Sequence, residues 1–346
     1  MSAKISVVVP TVGRPSLSVL LAAVTGRGCA DEILVVDDRR TPDPPLVIAP
    51  GVRLIRGPGR GPAAARNCGW QAAAGEWIAF LDDDVVPAAN WSSVLRQDLL
   101  MAPASVGAVQ GRLAVPLPAD RRPTDWERCT SALAQGRWIT ADISYRRTAL
   151  AAVGGFDERF PAAYREDAEL AHRVRMAGWT LVRGARQAAH PVRPEGPWVS
   201  VRAQRGNADD ALLRRLYGPR WRSALELPTG RRGNHVVICV AGALAVIAGL
   251  GSRRGTQVWT QMAALAAGLW AGGVAQFASA RIRPGPRTAT EVVTMAVTSA
   301  IIPQVAVSHW LHGWWRSRGA KPLMPVPPHR SAPSPSAGDG ALAGAR

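Results

Sequence analysis

Lysine is almost absent from this 346-residue sequence: Lys4 and Lys321 are its only lysines, and 40 of its 42 basic residues are arginine. With 34 glycines and 28 prolines, the pattern is typical of genome-wide codon bias. The formal net charge of +17 is therefore weak support for nucleic-acid binding. No basic stripe interleaved with stacking aromatics occurs, so we expect no nucleic-acid partner. A basic surface still favours anionic lipid headgroups and phosphorylated substrates.

Cysteine is also scarce. The four cysteines are scattered without a CxxC pair, which indicates neither a disulfide framework nor a zinc site: Cys29, Cys68, Cys129 and Cys239. The first apolar run breaks at Pro10, is too short for a signal peptide and has no cleavage region. We therefore expect the first domain to remain in the cytoplasm.

Short apolar runs alternate with Ala-rich helical stretches over residues 1–110. The runs are rich in branched residues and bounded by Gly, Pro or Asp, which predicts strands at 5–9, 33–36, 52–55, 77–81 and 106–110. Helices are predicted at 17–24, 63–74 and 91–101. This alternation indicates an α/β fold with a mostly parallel, doubly wound sheet flanked by helices. Ligands of such sheets bind beyond the carboxyl ends of the strands.

The last third of the chain is apolar in long stretches. We predict an α/β domain at 1–230, divided near residue 110, and a membrane region at 231–318 with helices at about 235–251, 257–280 and 291–315. The third of these contains Pro303 and ends in aromatics, so it could span, re-enter or lie on the surface. Arginines before the first helix and after the second predict that these two outer ends lie inside the cell. Residues 319–346 have the composition of a disordered tail.

Acidic residues follow two predicted strands. Asp82, Asp83 and Asp84 end one strand, and Asp37-Asp38 end another, while Pro10-Thr11 end the first. Carboxylates one residue apart at a strand end can bind one Mg²⁺ or Mn²⁺ ion together, along with substrate phosphates. Taken alone, a solvated acidic turn is the alternative.

A glycine-rich stretch at 57–62 leads into the helix that carries Arg66. The helix start offers backbone N–H groups, and Arg66 adds a cation for phosphates. A loop with a helix cap is the alternative, and the spacing matches neither a P-loop nor a dinucleotide fingerprint.

Taken in order, these segments resemble family 2 glycosyltransferases of the GT-A fold. The resemblance covers roughly residues 4–215 and rests on VVVPTVGRP, VVDD, GPAAARNCGW, FLDDDVVP, the ISYRR and GGFDERF segments within 143–160, and REDAEL at 165–170. It implies a GT-A-like catalytic domain that uses a nucleotide-sugar donor and a divalent cation.

The resemblance also assigns site residues. The assigned nucleotide-sugar contacts are Pro10, Thr11, Asp38, Arg66, Asp82 and Asp83. The assigned metal ligands are Asp82 and Asp84, with His190 added because the family often has a histidine there. The assigned acceptor-side residues are Gly154, Gly155, Phe156, Asp157 and Glu166. Arg146 and Arg147 are candidates for phosphate contacts or for a solvated pair, and Asp142 stands where relatives often have Asn.

Asp167 matches the catalytic base of the family's Glu-Asp motif. Inverting transfer needs a base that takes the acceptor hydroxyl proton, and a positioned base contributes on the order of 10²–10⁴-fold. The alternative is a helix N-cap, because apolar residues follow at helical spacing. A helix N-terminus would lower the pKa of Asp167 and weaken it as a base.

The predicted activity is inverting, metal-dependent transfer of a sugar to a lipid-linked or envelope-glycan acceptor, on the cytoplasmic side of a multi-pass membrane protein. One rival is a synthase that charges polyprenyl phosphate with one sugar. Another is a non-catalytic membrane scaffold that keeps a degenerate transferase fold. The sugar, the nucleotide, the acceptor and the oligomeric state are not encoded in these motifs.

Overall fold

The computed structural model describes residues 4–25, 30–253 and 256–323. Cys29, Arg254 and residues 324–346 of the tail predicted at 319–346 lie outside these ranges. Within them the chain forms one mixed sheet. Its strands are β1 (Ile5–Thr11), β2 (Glu32–Asp37), β3 (Arg53–Arg56), β4 (Trp77–Leu81), β5 (Val86–Pro87), β6 (Val106–Ala114), β7 (Asp142–Arg146) and β8 (Thr180–Ala189).

Twelve α-helices accompany the sheet in the described part of the chain. Those that precede residue 230 are α1 (Ser16–Thr25), α2 (Pro62–Ala72), α3 (Trp91–Leu100), α4 (Asp125–Ser131), α5 (Arg147–Val153), α6 (Glu166–Met176), α7 (Val199–Arg202), α8 (Asn207–Tyr217) and α9 (Trp221–Ala224). The remaining three are α10 (Arg232–Ser252), α11 (Gln257–Ile282) and α12 (Ala289–Arg316). All three are long and apolar enough to cross a membrane.

The strand order is β3-β2-β1-β4-β7-β6-β8-β5. The first four strands are parallel, as the alternation of strands and helices predicts. β7 runs antiparallel to both β4 and β6, so the sheet is mixed. The α/β class is confirmed. The sequence patterns missed the two-residue β5 and, with more effect on the sheet, β7. Its five residues, DISYR, alternate polar and apolar side chains that are nearly all buried, so no apolar run marks the strand.

Side chains alternate across the sheet and bury two cores. Along β1, Ile5, Val7 and Val9 face a core shared with α1 and α3. Val8 faces the opposite core, which α2, α5 and α6 cover. A third cluster joins Phe160 and Ala168 to α8 and α9. Helices on both faces leave the carboxyl edge of the parallel strands open, and the predicted motifs lie at that edge.

Candidate active site

The carboxyl ends of β1, β2 and β4 meet at one edge of the sheet. Thr11 pairs with Asp37 across β1 and β2, and β4 lies on the other side of β1. A cavity of about 210 Å³ opens at this edge. The cavity lining includes all six residues assigned to the nucleotide sugar, together with Asp84: Pro10, Thr11, Asp38, Arg66, Asp82 and Asp83. The fold therefore gathers residues that are far apart in sequence.

Asp83 holds the loop after β1 in place. One of its carboxylate oxygens accepts a 2.6 Å hydrogen bond from the Thr11 hydroxyl, and the other accepts one of 2.6 Å from Arg14 Nη1. The side chain is almost fully buried. Its oxygens are thus engaged by the protein, and Asp83 shapes the cavity wall.

Asp38 organises the glycine-rich stretch. Its two carboxylate oxygens accept hydrogen bonds from the backbone N–H groups of Gly59 (2.7 Å) and Gly61 (2.8 Å). Gly61 has φ of +103°, and a Cβ there would lie 2.2 Å from the Pro161 carbonyl oxygen. A side chain at this position is excluded by both conformation and space. The loop therefore packs directly on the segment that leads to α6.

Gly61→Ala is expected to destabilise the fold by about 1–3 kcal/mol, because it adds a strained backbone conformation and a clash with backbone. Thermal unfolding of the purified full chain in detergent measures the loss. Gly178→Ala is the matched control, since Gly178 also has positive φ but its Cβ would have no neighbour within 4 Å. An equal loss in both variants would contradict the role of the Pro161 contact.

Arg66 joins the two halves of the domain. Arg66 lies on α2. Its Nη2 donates a hydrogen bond to Asp82 and its Nη1 donates one to Glu166, each of 2.8 Å. Burial disfavours the charged form, yet Asp82 and Glu166 together hold the pKa of Arg66 above its ordinary value. Arg66 thus fixes one carboxylate of each acidic motif, and its guanidinium lies at the cavity wall.

Asp82, Asp84 and His190 form a candidate metal group. Each offers one ligand atom, and these atoms lie within 4.8 Å of one another. Two carboxylates and an imidazole suit Mn²⁺ or Mg²⁺, which leaves positions for phosphate oxygens and water. His190 is buried, and its Nδ1 has no hydrogen-bond partner among the described residues. The residues present therefore fit a divalent cation.

Arg193 lies against this group. Its Nε is 3.0 Å from one oxygen of Asp84, and His190 Nε2 is 3.5 Å from the other. Burial raises the pKa of Asp84 above its ordinary value, and His190 and Arg193 oppose that rise. The Arg193 side chain is 46% exposed, so it can move.

A second cavity of about 520 Å³ adjoins the first. The two share Arg66, Asp82, Ala163 and Arg193 in their walls. Asp167, Glu166 and His190 also line the second cavity. Much of its remaining wall is apolar, and arginines stand at its edge: Trp126, Leu133, Ile139, Ala141, Arg202 and Arg205.

Asp167 lies in the first turn of α6, whose N-cap is Arg165 in the left-handed conformation (φ 77°). The alternative that made Asp167 the N-cap is therefore wrong. Asp167 accepts a 2.7 Å hydrogen bond from the Ala168 N–H. Burial raises its pKa and outweighs that bond, whereas the helix position alone predicted a lower pKa. Burial and the neighbouring Asp167 likewise raise the pKa of Glu166 to about 8, against the opposing charge of Arg66.

The sequence model of the family described as Glycosyl transferase family 2 matches residues 6–140, which contain the strand-end motifs of the first cavity. Residues 6–140 of this chain are therefore similar to family 2 glycosyltransferases. A pre-mycofactocin glycosyltransferase of Mycobacterium tuberculosis is 33% identical over 141 residues, covering 35% of this chain and 28% of that protein. The succinoglycan biosynthesis protein ExoO of Rhizobium meliloti is 44% identical over 68 residues, covering 18% and 20% respectively. This chain thus aligns with less than a third of either relative.

Solved structures with similar folds include a glucosyl-3-phosphoglycerate synthase from M. tuberculosis in complex with Mn²⁺, UDP-glucose and phosphoglyceric acid. It is 17% identical, with a TM-score of 0.44, covering 66% of this chain and 81% of that one. GalNAc-T7 with UDP, GalNAc and Mn²⁺ is 15% identical, with a TM-score of 0.45, covering 66% and 55%.

Four of the five residues that the resemblance assigned to the acceptor side line neither cavity. Phe156 exchanges backbone hydrogen bonds with the Asn67 side chain, and Gly154 and Gly155 turn the chain behind α2. Asp157 is buried in an ion pair with Arg159. Phe156 and Gly155 therefore pack against α2, and Asp157 is engaged by Arg159, so the position of these residues argues against direct acceptor contact. Glu166 alone of the five lines a cavity.

Three further candidates from the sequence also have structural partners. Asp142 is buried and accepts hydrogen bonds from Arg186 and Trp91. Arg146 stacks over Trp77, and Arg147 donates to backbone carbonyls at the opposite end of β4. The expectation that this arginine pair faces phosphates or solvent is wrong.

The structure adds cavity residues that the sequence patterns did not single out. The principal one is Arg193, and Arg14, Trp126, Arg202 and Arg205 accompany it. Arg193 follows His190 by three residues, so a cation close to a candidate ligand was a usable signal. Arg202 and Arg205 had none, because they reach the cavity only through the packing of α7 and the turn after it.

Proposed function

We propose that the protein is an inverting, metal-dependent glycosyltransferase that moves a sugar from a nucleotide-sugar donor to a membrane-associated acceptor. The observation that carries this proposal is the junction of the two cavities. The carboxylates of Asp82 and Asp84 lie beside His190, and Asp167 lies in the adjoining cavity. A donor diphosphate held in the first cavity would place its sugar toward the base in the second.

The residues of the first cavity bind and orient the donor. Thr11 and the loop held by Asp38 border the nucleoside, while Arg66 keeps Asp82 directed into the cavity. A bound divalent cation held by Asp82, Asp84 and His190 would neutralise the diphosphate as it leaves. Asp167, with its raised pKa, accepts the acceptor hydroxyl proton as that oxygen attacks the anomeric carbon.

The second cavity suits an acceptor with both apolar and anionic parts. Its wall combines Trp126, Leu133 and Ile139 with Arg202 and Arg205. Apolar surface binds a lipid or an apolar aglycone, and guanidinium groups bind phosphate. With the apolar helices that follow, this composition supports a lipid-linked acceptor. Arginines at the flanks of α10 and α11 support a catalytic domain on the cytoplasmic side.

Turnover of a panel of UDP-, GDP- and TDP-sugars by the full chain in detergent tests the proposal. Donor cleavage should occur with one nucleotide class, require Mn²⁺ or Mg²⁺, and stop on chelation. The released sugar should appear on a lipid extract with inverted anomeric configuration. Absence of metal-dependent cleavage with every donor would favour the scaffold alternative.

The polyprenyl-phosphate sugar synthase remains the second candidate, favoured by the arginines at the edge of the second cavity. A phosphate acceptor is already ionised and needs no base. Transfer to polyprenyl phosphate that survives Asp167→Asn would select this candidate over transfer to a hydroxyl.

Arg193→Gln is expected to tighten Mn²⁺ binding by about 1.4- to 5-fold in the absence of donor. Arg193 competes with the cation for Asp84, and a partly exposed ion pair contributes about 0.2–1 kcal/mol. Calorimetric titration of the full chain with Mn²⁺ measures the change. Arg202→Gln is the matched control, because Arg202 lines the same cavity but pairs with Glu195. Unchanged or weaker Mn²⁺ binding in Arg193→Gln would contradict the competition.

A further inference from the structure

The helix α12 has the length and composition of a membrane span. It contains 28 residues, and its most apolar stretch has a mean hydropathy of 1.4, compared with 2.1 in α10 and 1.3 in α11. A helix that crosses a bilayer has its two ends on opposite faces of a hydrocarbon layer about 30 Å thick. The contacts at the two ends of α12 therefore decide whether it crosses.

The N-terminal end of α12 contacts the catalytic domain. Glu291 Oε1 accepts a 2.9 Å hydrogen bond from the backbone N–H of Asp125, the first residue of α4. Through Trp126 and Thr130, α4 forms part of the wall of the second cavity. This end of α12 therefore lies on the side of the catalytic domain.

The C-terminal end of α12 also contacts the catalytic domain, through α8. Gly313 packs so closely that a Cβ would lie 2.4 Å from the backbone oxygen of Ala208. Arg215 donates to the Trp314 carbonyl at 3.3 Å and stacks over the Trp314 ring at 3.6 Å. α8 also carries buried Asp209 and Asp210, so it does not belong in hydrocarbon.

The chain continues along the catalytic domain after α12 ends. Ala320 packs against the cluster that contains Phe160 and Trp221. The Lys321 carbonyl accepts a 2.9 Å hydrogen bond from Arg159 Nη1. The segment after the helix is thus on the same side as the helix's first turn.

Glu291 and Gly313 are separated by 22 residues, or about 33 Å along a helix, which is enough to cross the hydrocarbon layer. Both nevertheless contact one water-facing domain. We propose that α12 lies in the plane of the membrane surface, between the catalytic domain and the bilayer, and that only α10 and α11 cross. The chain after α12 then lies on the same side as the catalytic domain.

The position of α12 across the hairpin of α10 and α11 agrees with this placement. Arg281, at the base of α11, donates to Thr298 and Ser299 and pairs with Asp125. Arg232, at the base of α10, stacks over Trp310 at 4.8 Å. The α12 residues that meet the two bases are 11 or more positions apart, so α12 extends across both helices at their domain end.

The exposed face of α12 suits a bilayer surface. It presents apolar side chains at Val293, Val297, Leu311 and Trp315. Its middle and last turns also expose polar side chains, which are costly in the hydrocarbon layer: Gln304, Ser308 and His312. Such a mixed face, followed by exposed Arg316 and Arg318, is typical of helices that lie among anionic headgroups.

Membrane topology of the full chain tests the proposal. The four native cysteines are replaced by serine, and single cysteines are introduced by Asp120→Cys, Ser252→Cys and Lys321→Cys. A membrane-impermeant maleimide is then applied to intact cells and to inverted vesicles. In intact cells, Asp120→Cys and Lys321→Cys should both remain unlabelled, whereas Ser252→Cys, at the far end of the hairpin, should be labelled. In inverted vesicles the pattern should be the opposite.

Labelling of Lys321→Cys together with Ser252→Cys would overturn the proposal, because α12 would then cross. Protection of all three positions would also overturn it, because the hairpin would not cross. Should the cysteine-free chain fail to fold, green fluorescent protein fused to the unaltered C-terminus supplies the same readout. If the C-terminus lies on the cytoplasmic side, the fused protein should fluoresce. If the C-terminus were exported across the membrane, fluorescence would be lost, which would contradict the proposal.

Nitroxide labels introduced by Val297→Cys, Gln304→Cys and Leu311→Cys test the in-plane orientation separately. A surface helix places all three at similar shallow depth, as measured by collision with oxygen and with a nickel chelate. A depth maximum at Gln304→Cys would show a spanning helix and would contradict the proposal.

Discussion

Asp167→Asn is expected to lower sugar transfer to a hydroxyl acceptor by on the order of 10²–10⁴-fold, the contribution of a positioned general base. The amide is nearly the same size as the carboxylate but cannot accept the proton. Since Asp167 lies in the second cavity, outside the metal group, the affinities for donor and Mn²⁺ should remain unchanged. Initial rates of transfer, with calorimetric donor binding, measure both quantities.

The pH profile of the same variant gives an independent readout. Burial raises the pKa of Asp167 above its ordinary 3.8, so transfer by the unaltered protein should fall as the pH drops through that raised pKa. The ionised base is lost on the acid side. Asp167→Asn should lack this acid limb and retain a low, flat rate.

Glu195→Gln is the control, since it makes the same acid-to-amide change in an exposed residue that pairs with Arg202. It should leave the transfer rate and its acid limb unchanged. Retention of more than a tenth of the hydroxyl-transfer rate in Asp167→Asn would show that another group takes the proton.

Asp84→Asn is expected to remove most Mn²⁺ binding and to lower donor turnover about 100-fold or more. Charge stabilisation by a bound metal contributes several kcal/mol, and about 1.4 kcal/mol corresponds to a factor of ten. Asp84 is the buried carboxylate of the metal group, so water cannot replace it easily. Mn²⁺ titration and turnover measurements should show that metal binding and donor turnover are lost together.

Asp120→Asn, at an exposed position that lies outside the metal group and lines neither cavity, controls for the loss of one negative charge. It should leave Mn²⁺ affinity unchanged. If Asp84→Asn bound Mn²⁺ with normal affinity, Asp84 would not be a metal ligand. If turnover were lost despite that normal affinity, Asp84 would act on the donor instead.

Most of the structure up to about residue 110 was predictable from the sequence. The strands at 5–9, 33–36 and 77–81 are strongly apolar and each ends in a polar motif. Parallel strands align their carboxyl ends, so Thr11, Asp38 and Asp82 had to meet at one edge. These are consequences of local patterns and of one rule of sheet geometry.

The structure between about residues 111 and 230 was harder to predict. β7 has no apolar run, and it inserts antiparallel between β4 and β6. The Gly154–Asp157 turn matched a family motif, yet it contacts Asn67 and Arg159 instead of a cavity. A motif identifies residue types, whereas the direction of each side chain depends on the surrounding packing.

The sequence by itself determined the α/β class, the strand-end carboxylates and the apolar character of the C-terminal helices, because each depends on residues close together in the chain. Only the tertiary structure decided which charges pair. Arg66 meets Glu166 across 100 positions, and Arg193 meets Asp84 across the sheet edge. It also decided that both ends of α12 contact the same domain. Hydropathy shows that a helix is apolar enough to lie in hydrocarbon. Where the helix lies depends on the residues that tertiary packing brings into contact with its two ends.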